Sequence, residues 1–143
     1  MFINDVLYQT NMHNINLVRE VLFSNLYGDQ NKIEELKNII CKYIDCSSIE
    51  FDNSRFSFII KIKKTSMRKN KSFDHNPNFY YTLASNIFNE FLHLNEASII
   101  VGITMKGESH PTEVLSGIYD NSTIMSNLCS ITCISDNVLQ FHL

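Results

Sequence analysis

Four cysteines and five histidines are the side chains of this chain best suited to bind a metal or move a proton. His75 follows Asp74, and His110 sits within Glu108-Ser109-His110-Pro111. An imidazole close to a carboxylate is a minimal general acid–base arrangement. Neither lies beside a G-x-S-x-G nucleophile elbow, and the Lys106-Gly107 turn with Pro111 is itself enough to gather polar residues there. Cys41/Cys46 and Cys129/Cys133 form two pairs, with four and three residues between their members. That spacing is marginal for the C-x₂₋₄-C pattern of tetrahedral zinc. On a strand, residues four apart stand about 13 Å from each other by the 3.3 Å rise, too far to share one ion. The cysteines read better as small buried hydrophobes. A C-terminal hairpin turning at Ser135 and Asp136 would set Cys129 opposite His142 as a thiol–imidazole pair, and a shifted register would remove it. These histidines and this pair are the candidates for a small hydrolase or transferase.

Charge gives a second candidate site. Lys61, Lys63, Lys64, Arg68, Lys69 and Lys71 put +6 into 11 residues, while the other 132 sum to −9, giving the net −3. Charge this segregated faces either a partner or solvent. Lys61 and Lys63 fall on the outward side of an alternating run, where lysines also blunt edge-to-edge strand pairing. Arg68, Lys69 and Lys71 fall in a polar loop. Phosphate binding by this segment makes a nucleic-acid-binding or regulatory domain an alternative reading. A pI near 5.9 and only Phe73 as a nearby stacking ring weigh against it.

Composition removes other chemistries. The four glycines, Gly28, Gly102, Gly107 and Gly117, are isolated, so neither a G-x-G-x-x-G nor a G-x₄-G-K-[ST] phosphate loop is present, and no cofactor is expected. At 143 residues, with 44% apolar and 19% charged side chains, the chain is expected to form one globular domain over residues 1–143. No run approaches the ~18 apolar residues of a membrane span. The opening has no signal-peptide pattern, because Asn4 and Asp5 interrupt it. The expected compartment is therefore the cytosol, where the cysteines would be thiols.

Periodicity supplies the elements that must position these residues. Ile15, Val18, Leu22 and Leu26 are at helical spacing, with Gly28 as the stop. Ile33, Leu36, Ile40 and Tyr43 form the stripe of a second helix, capped by Asn31 with Glu34, or by Asp29. From Ser48 to Lys63 the period becomes two, with Phe56, Phe58, Ile60 and Ile62 on one face and a turn at Asp52 and Asn53. A polar segment from Thr65 to Asn76 precedes a third helix, starting at Pro77, with an inner stripe of Tyr80, Leu83, Ile87, Phe91 and Leu94. Tyr81, Phe88 and Leu92 off that stripe suggest cover on more than one side. Ala97 to Met105 is apolar on both alternating faces and predicts a central strand. Glu113 to Tyr119 fits strand or helix, and Leu128–Ile134 with Val138–Leu143 predict a hairpin. The expected fold is α+β, a mostly antiparallel sheet with about three helices packed on one face.

The absence of a catalytic signature, the slightly acidic balance, the expected thiols and the 17 asparagines give this chain a character that resembles the bacterial immunity proteins of contact-dependent growth inhibition. The resemblance is of overall character across the whole chain and rests on no diagnostic motif. It implies a small cytoplasmic, protein-binding toxin inhibitor that blocks a cognate protein toxin domain by stoichiometric contact, without catalysis and without a membrane partner. Many such toxins are nucleases with cationic clefts, so an acidic surface would be steered toward them. The acidic candidates are Glu34, Glu35 and Asp45 on the second helix, with Glu50 and Asp52 at the hairpin tip. Lys63, Lys64, Arg68, Lys69 and Lys71 are the basic candidates for partner binding. Lys32, Lys37 and Lys42 interleave with the acids of the second helix, as on an ordinary solvated face.

Overall fold

The computed structural model describes residues 2–63 and 77–143. The elements run α1 (Phe2–Leu26), α2 (Gln30–Tyr43), β1 (Cys46–Asp52), β2 (Ser57–Ile62), α3 (Pro77–Leu94), α4 (Glu96–Met105), α5 (Pro111–Asp120), α6 (Ser122–Leu128), β3 (Ser130–Ser135) and β4 (Val138–His142). The class is α+β, with a four-stranded sheet in the order β1-β2-β4-β3 and every neighbouring pair antiparallel. Among the described residues six helices stand where about three were expected.

The helical stripes decide the packing. Ile15, Val18, Leu22 and Leu26 of α1 are all buried, and Gly28 takes φ +77° just after the helix, a conformation costly for any residue with a Cβ. Asp29 is the residue that caps α2, its side chain accepting from the backbone N–H groups of Asn31 and Lys32. In α3, Phe88 and Leu92 are buried along with Ile87 and Phe91, so the helix is enclosed on two sides. The outer ends of two predicted stripes turn to solvent instead: Tyr43 is 43% exposed and Leu94 58%.

Alternation in the strands splits the sheet into two faces. Phe58, Ile60 and Ile62 of β2 and Leu139 and Phe141 of β4 are buried and join the helices in one core. Opposite them, Glu50, Ile59, Gln140 and Thr132 form one cross-strand row on the other face. Gln140 is buried there but satisfied, its Nε2 donating to Ser57 Oγ at 3.0 Å. Phe56 does not continue the strand alternation. It lies in the turn with φ +47° and stacks on Phe23 of α1 with ring centroids 4.3 Å apart.

The largest departure from the sequence reading lies between α3 and β3. Ala97–Met105 is not a central strand but helix α4, while for Glu113–Tyr119, which fitted strand or helix, the helix holds, within α5. Ile99 and Ile103 of α4, four apart, are buried, whereas Val101 and Met105 point outward. A run of apolar residues of both parities satisfies either period. Here packing on α1 selects the helix, with Gly102 pressed against Val21.

Candidate functional site

The expected acidic and basic residues are spread over the molecule, and most are engaged locally. Glu34 Oε1 accepts from Gln30 and pairs with Lys37 at 3.5 Å, within α2. Asp45 and Lys63 pair with each other at 3.4 Å across the α2–β1 corner. Asp52 accepts from the hydroxyl of Ser54 at 2.7 Å and from its backbone N–H, which hold the carboxyl below its ordinary range. Glu50 is exposed on the sheet face turned away from the core. Lys61 is exposed on that same face. Lys64, Arg68, Lys69 and Lys71, with Asp74 and His75, lie outside the described residues.

Glu35 has a different environment. Its Oε1 accepts from Asn95 Nδ2 at 2.7 Å, Lys32 donates to Asn95 Oδ1, and Asn95 Nδ2 also donates to the Phe91 carbonyl at 2.9 Å. Asn95 is the residue between α3 and α4 and is 2% exposed. A buried amide is costly unless its groups are bonded, and this network bonds both ends while holding α2 against the start of α4.

From that point α4 presents an apolar line to solvent. Ala97, Val101 and Met105 follow each other at intervals of four, on one side of the helix, and all three are exposed, Val101 to 57% and Met105 to 83%. Leu94, just before the helix, is exposed as well. Carboxylates stand at both ends of this line. Glu35 and Glu96 are at its head, and Glu108 follows its foot, where Glu20 of α1 also pairs with Lys106. Isolated exposed apolar side chains are normal, but several in one line with a polar border have the anatomy of an interface core. Reading residues 97–105 as a buried strand hid this surface. Only their helical spacing could have revealed it.

Among the described residues the proton-transfer candidates are not assembled. His110 is exposed at the N-cap of α5, and Glu108 faces His13 at 3.8 Å. The C-terminal hairpin sets Ser130, not Cys129, opposite His142. Cys129 ends α6, where its buried Sγ donates to the carbonyls of Ala84 and Met125, each at 3.5 Å. Burial pushes that thiol up to about 12. Among the described residues no three His, Cys, Asp or Glu side chains gather as a metal site, and no helix is long and apolar enough to cross a membrane. A cleft of about 400 Å³ between α3 and β3 is lined by Tyr80, Tyr81, Ile131 and Cys133. No protein-family model, curated protein or solved structure matches this chain.

Proposed function

We propose that this protein is a stoichiometric protein-binding module of the immunity or antitoxin kind, which neutralises a toxin domain by covering a basic surface on it. What carries the reading is the exposed line of Ala97, Val101 and Met105 with carboxylates at each end. Burying such a line against a partner is favourable by about 25 cal/mol per Å² of apolar surface. The carboxylates at its ends add attraction and orientation toward a cationic surface rather than bulk affinity.

The test begins with affinity purification of the tagged chain from the cells that encode it, with crosslinking and mass spectrometry to identify any partner and the residues in contact. Co-expression with that partner then measures protection. The expected result is a one-to-one complex with crosslinks around α4, and protection that the double variant V101D/M105D abolishes while circular dichroism stays unchanged. A tight complex whose affinity is unaffected by V101D/M105D would place the interface elsewhere. Lack of any partner, with no protection against a neighbouring toxin gene, would refute the reading altogether.

A further inference from the structure

Cys41 lies in the last turn of α2 and Cys46 is the first residue of β1, and their Sγ atoms are 3.7 Å apart. A disulfide needs the sulfurs at about 2.05 Å, so closure requires roughly 1.7 Å of approach, within the reach of side-chain rotation. The backbone keeps the two thiols adjacent. Ile44 N–H bonds the Ile40 carbonyl at 3.0 Å at the end of α2, Lys63 N–H bonds the Asp45 carbonyl at 3.1 Å, and Cys46 pairs with Ile62 in the sheet. Cys41 is exposed and Cys46 half-buried. The other two cysteines differ, since the Cys129 thiol is buried against backbone carbonyls and Cys133 Sγ is bonded to the Ser135 carbonyl at 3.2 Å.

We propose that Cys41 and Cys46 are a reversible dithiol–disulfide site, oxidised by exchange with low-molecular-weight disulfides. This inference is independent of the protein-binding reading. Because no third metal-ligating side chain joins the two among the described residues, covalent closure suits them better than capture of a tetrahedral ion.

The exposed Cys41, as thiolate, attacks one sulfur of the small disulfide. The S–S bond breaks, one small thiolate leaves, and a mixed disulfide remains on Cys41. Cys46 then gives its proton to solvent and attacks Cys41 Sγ, expelling the second small thiolate. In sum, two protein thiols lose two protons and two electrons, and the electrons reduce the small disulfide to two thiols. Burial, with the Cys41 thiol alongside, holds Cys46 up at about 11. In the mixed disulfide Cys41 no longer titrates, but Cys46 stays half-buried, so the second step quickens as pH rises because only the thiolate attacks.

The test incubates the native full chain with oxidised glutathione, blocks the remaining thiols by alkylation, and reads intact mass and peptide maps. The expected product carries two alkyl groups fewer than the reduced chain treated in the same way, has one crosslink between Cys41 and Cys46, and returns to the dithiol with dithiothreitol. C46S is expected to stop at a mixed disulfide on Cys41, while C41S forms no internal crosslink. Isolated mixed disulfide on the native chain should close faster as pH rises from 7 to 9. Either of two results would overturn the proposal: a glutathione adduct on Cys41 that persists in the native chain, or Cys41 and Cys46 both free after exposure to excess oxidised glutathione.

Discussion

Val21 of α1 and Gly102 of α4 meet so closely that a Cβ added to Gly102 would lie 2.6 Å from Val21 Cγ1. The obstacle is a β-branched side chain with one preferred helical rotamer, so it cannot simply swing aside. Gly102→Ala gains about 1 kcal/mol of helix propensity and loses about 1–3 kcal/mol to overpacking. The expected net effect is destabilisation, measured by urea denaturation. V21A is expected to relieve it, so that the double variant is more stable than the sum of the single effects predicts.

Asn95 ties α2 to the junction of α3 and α4 through Glu35, Lys32 and the Phe91 carbonyl. Asn95→Ala removes a buried amide and leaves a carboxylate, an ammonium and a carbonyl without it, which should cost about 1–3 kcal/mol. Asn95→Asp has nearly the same shape but cannot donate to Glu35, and is expected to cost at least as much near neutral pH. If N95A keeps the wild-type denaturation midpoint, the network contributes nothing to stability.

How far the fold was legible follows from these same residues. Phe58, Ile60 and Ile62 alternate with Ser57, Ile59, Lys61 and Lys63, three of which are polar, so β2 and its buried face could be read directly. The run 97–105 has no such contrast, and its helical state depends on Gly102 meeting Val21, a contact between residues 81 positions apart that no local pattern records. The candidate site suffered in the same way. Glu35 was visible as an acidic residue on a helix, but its partner Asn95 lies 60 residues away, and the exposure of Val101 and Met105 became apparent only once α4 was known to be a helix. The Cys129–His142 pair failed by one step of register.

Alkaline pH should destabilise the protein through two acids, the buried Cys129 thiol and the hydroxyl of the half-buried Tyr119. Burial raises the Cys129 thiol from 9.0 to about 12, and burial, then the Glu96 charge, raises the Tyr119 hydroxyl from 10.0 to about 12. Each folded value lies above its unfolded one, so this stability is fully present below pH 9 and is lost as pH rises from 9 toward 12. Denaturant midpoints measured across that range should fall, and C129A should delay the start of the fall to about pH 10. A midpoint independent of pH from 8 to 11 would contradict the burial of both groups.

On the acid side, Glu90 of α3 accepts from Lys42 and, at 3.0 Å, from the Tyr43 hydroxyl. These two bonds, Lys42 first, lower its carboxyl below 4.5. The folded value is depressed, so the stabilising contribution is present above 4.5 and is lost as pH falls through the folded value. Lys42 and Tyr43 are exposed and Glu90 only half-buried, so the effect on stability should be small and weaken with salt. A carboxyl titration by NMR should show the Glu90 midpoint below the ordinary value, and K42A should bring it back up.

The sheet order β1-β2-β4-β3 places β4, the last of the four strands, in the interior of the sheet, between β2 and β3, which four of the described helices separate along the chain. While this protein is being translated, β1 and β2 emerge early and form at most a lone hairpin, a unit that is marginal in water. Phe58 and Ile60 wait with their neighbouring edge open until Leu139 and Phe141 have left the ribosome. From the completion of β2 at Ile62 until Val138 emerges, the nascent chain therefore carries an unsatisfied strand edge, the kind of edge that pairs wrongly with other chains.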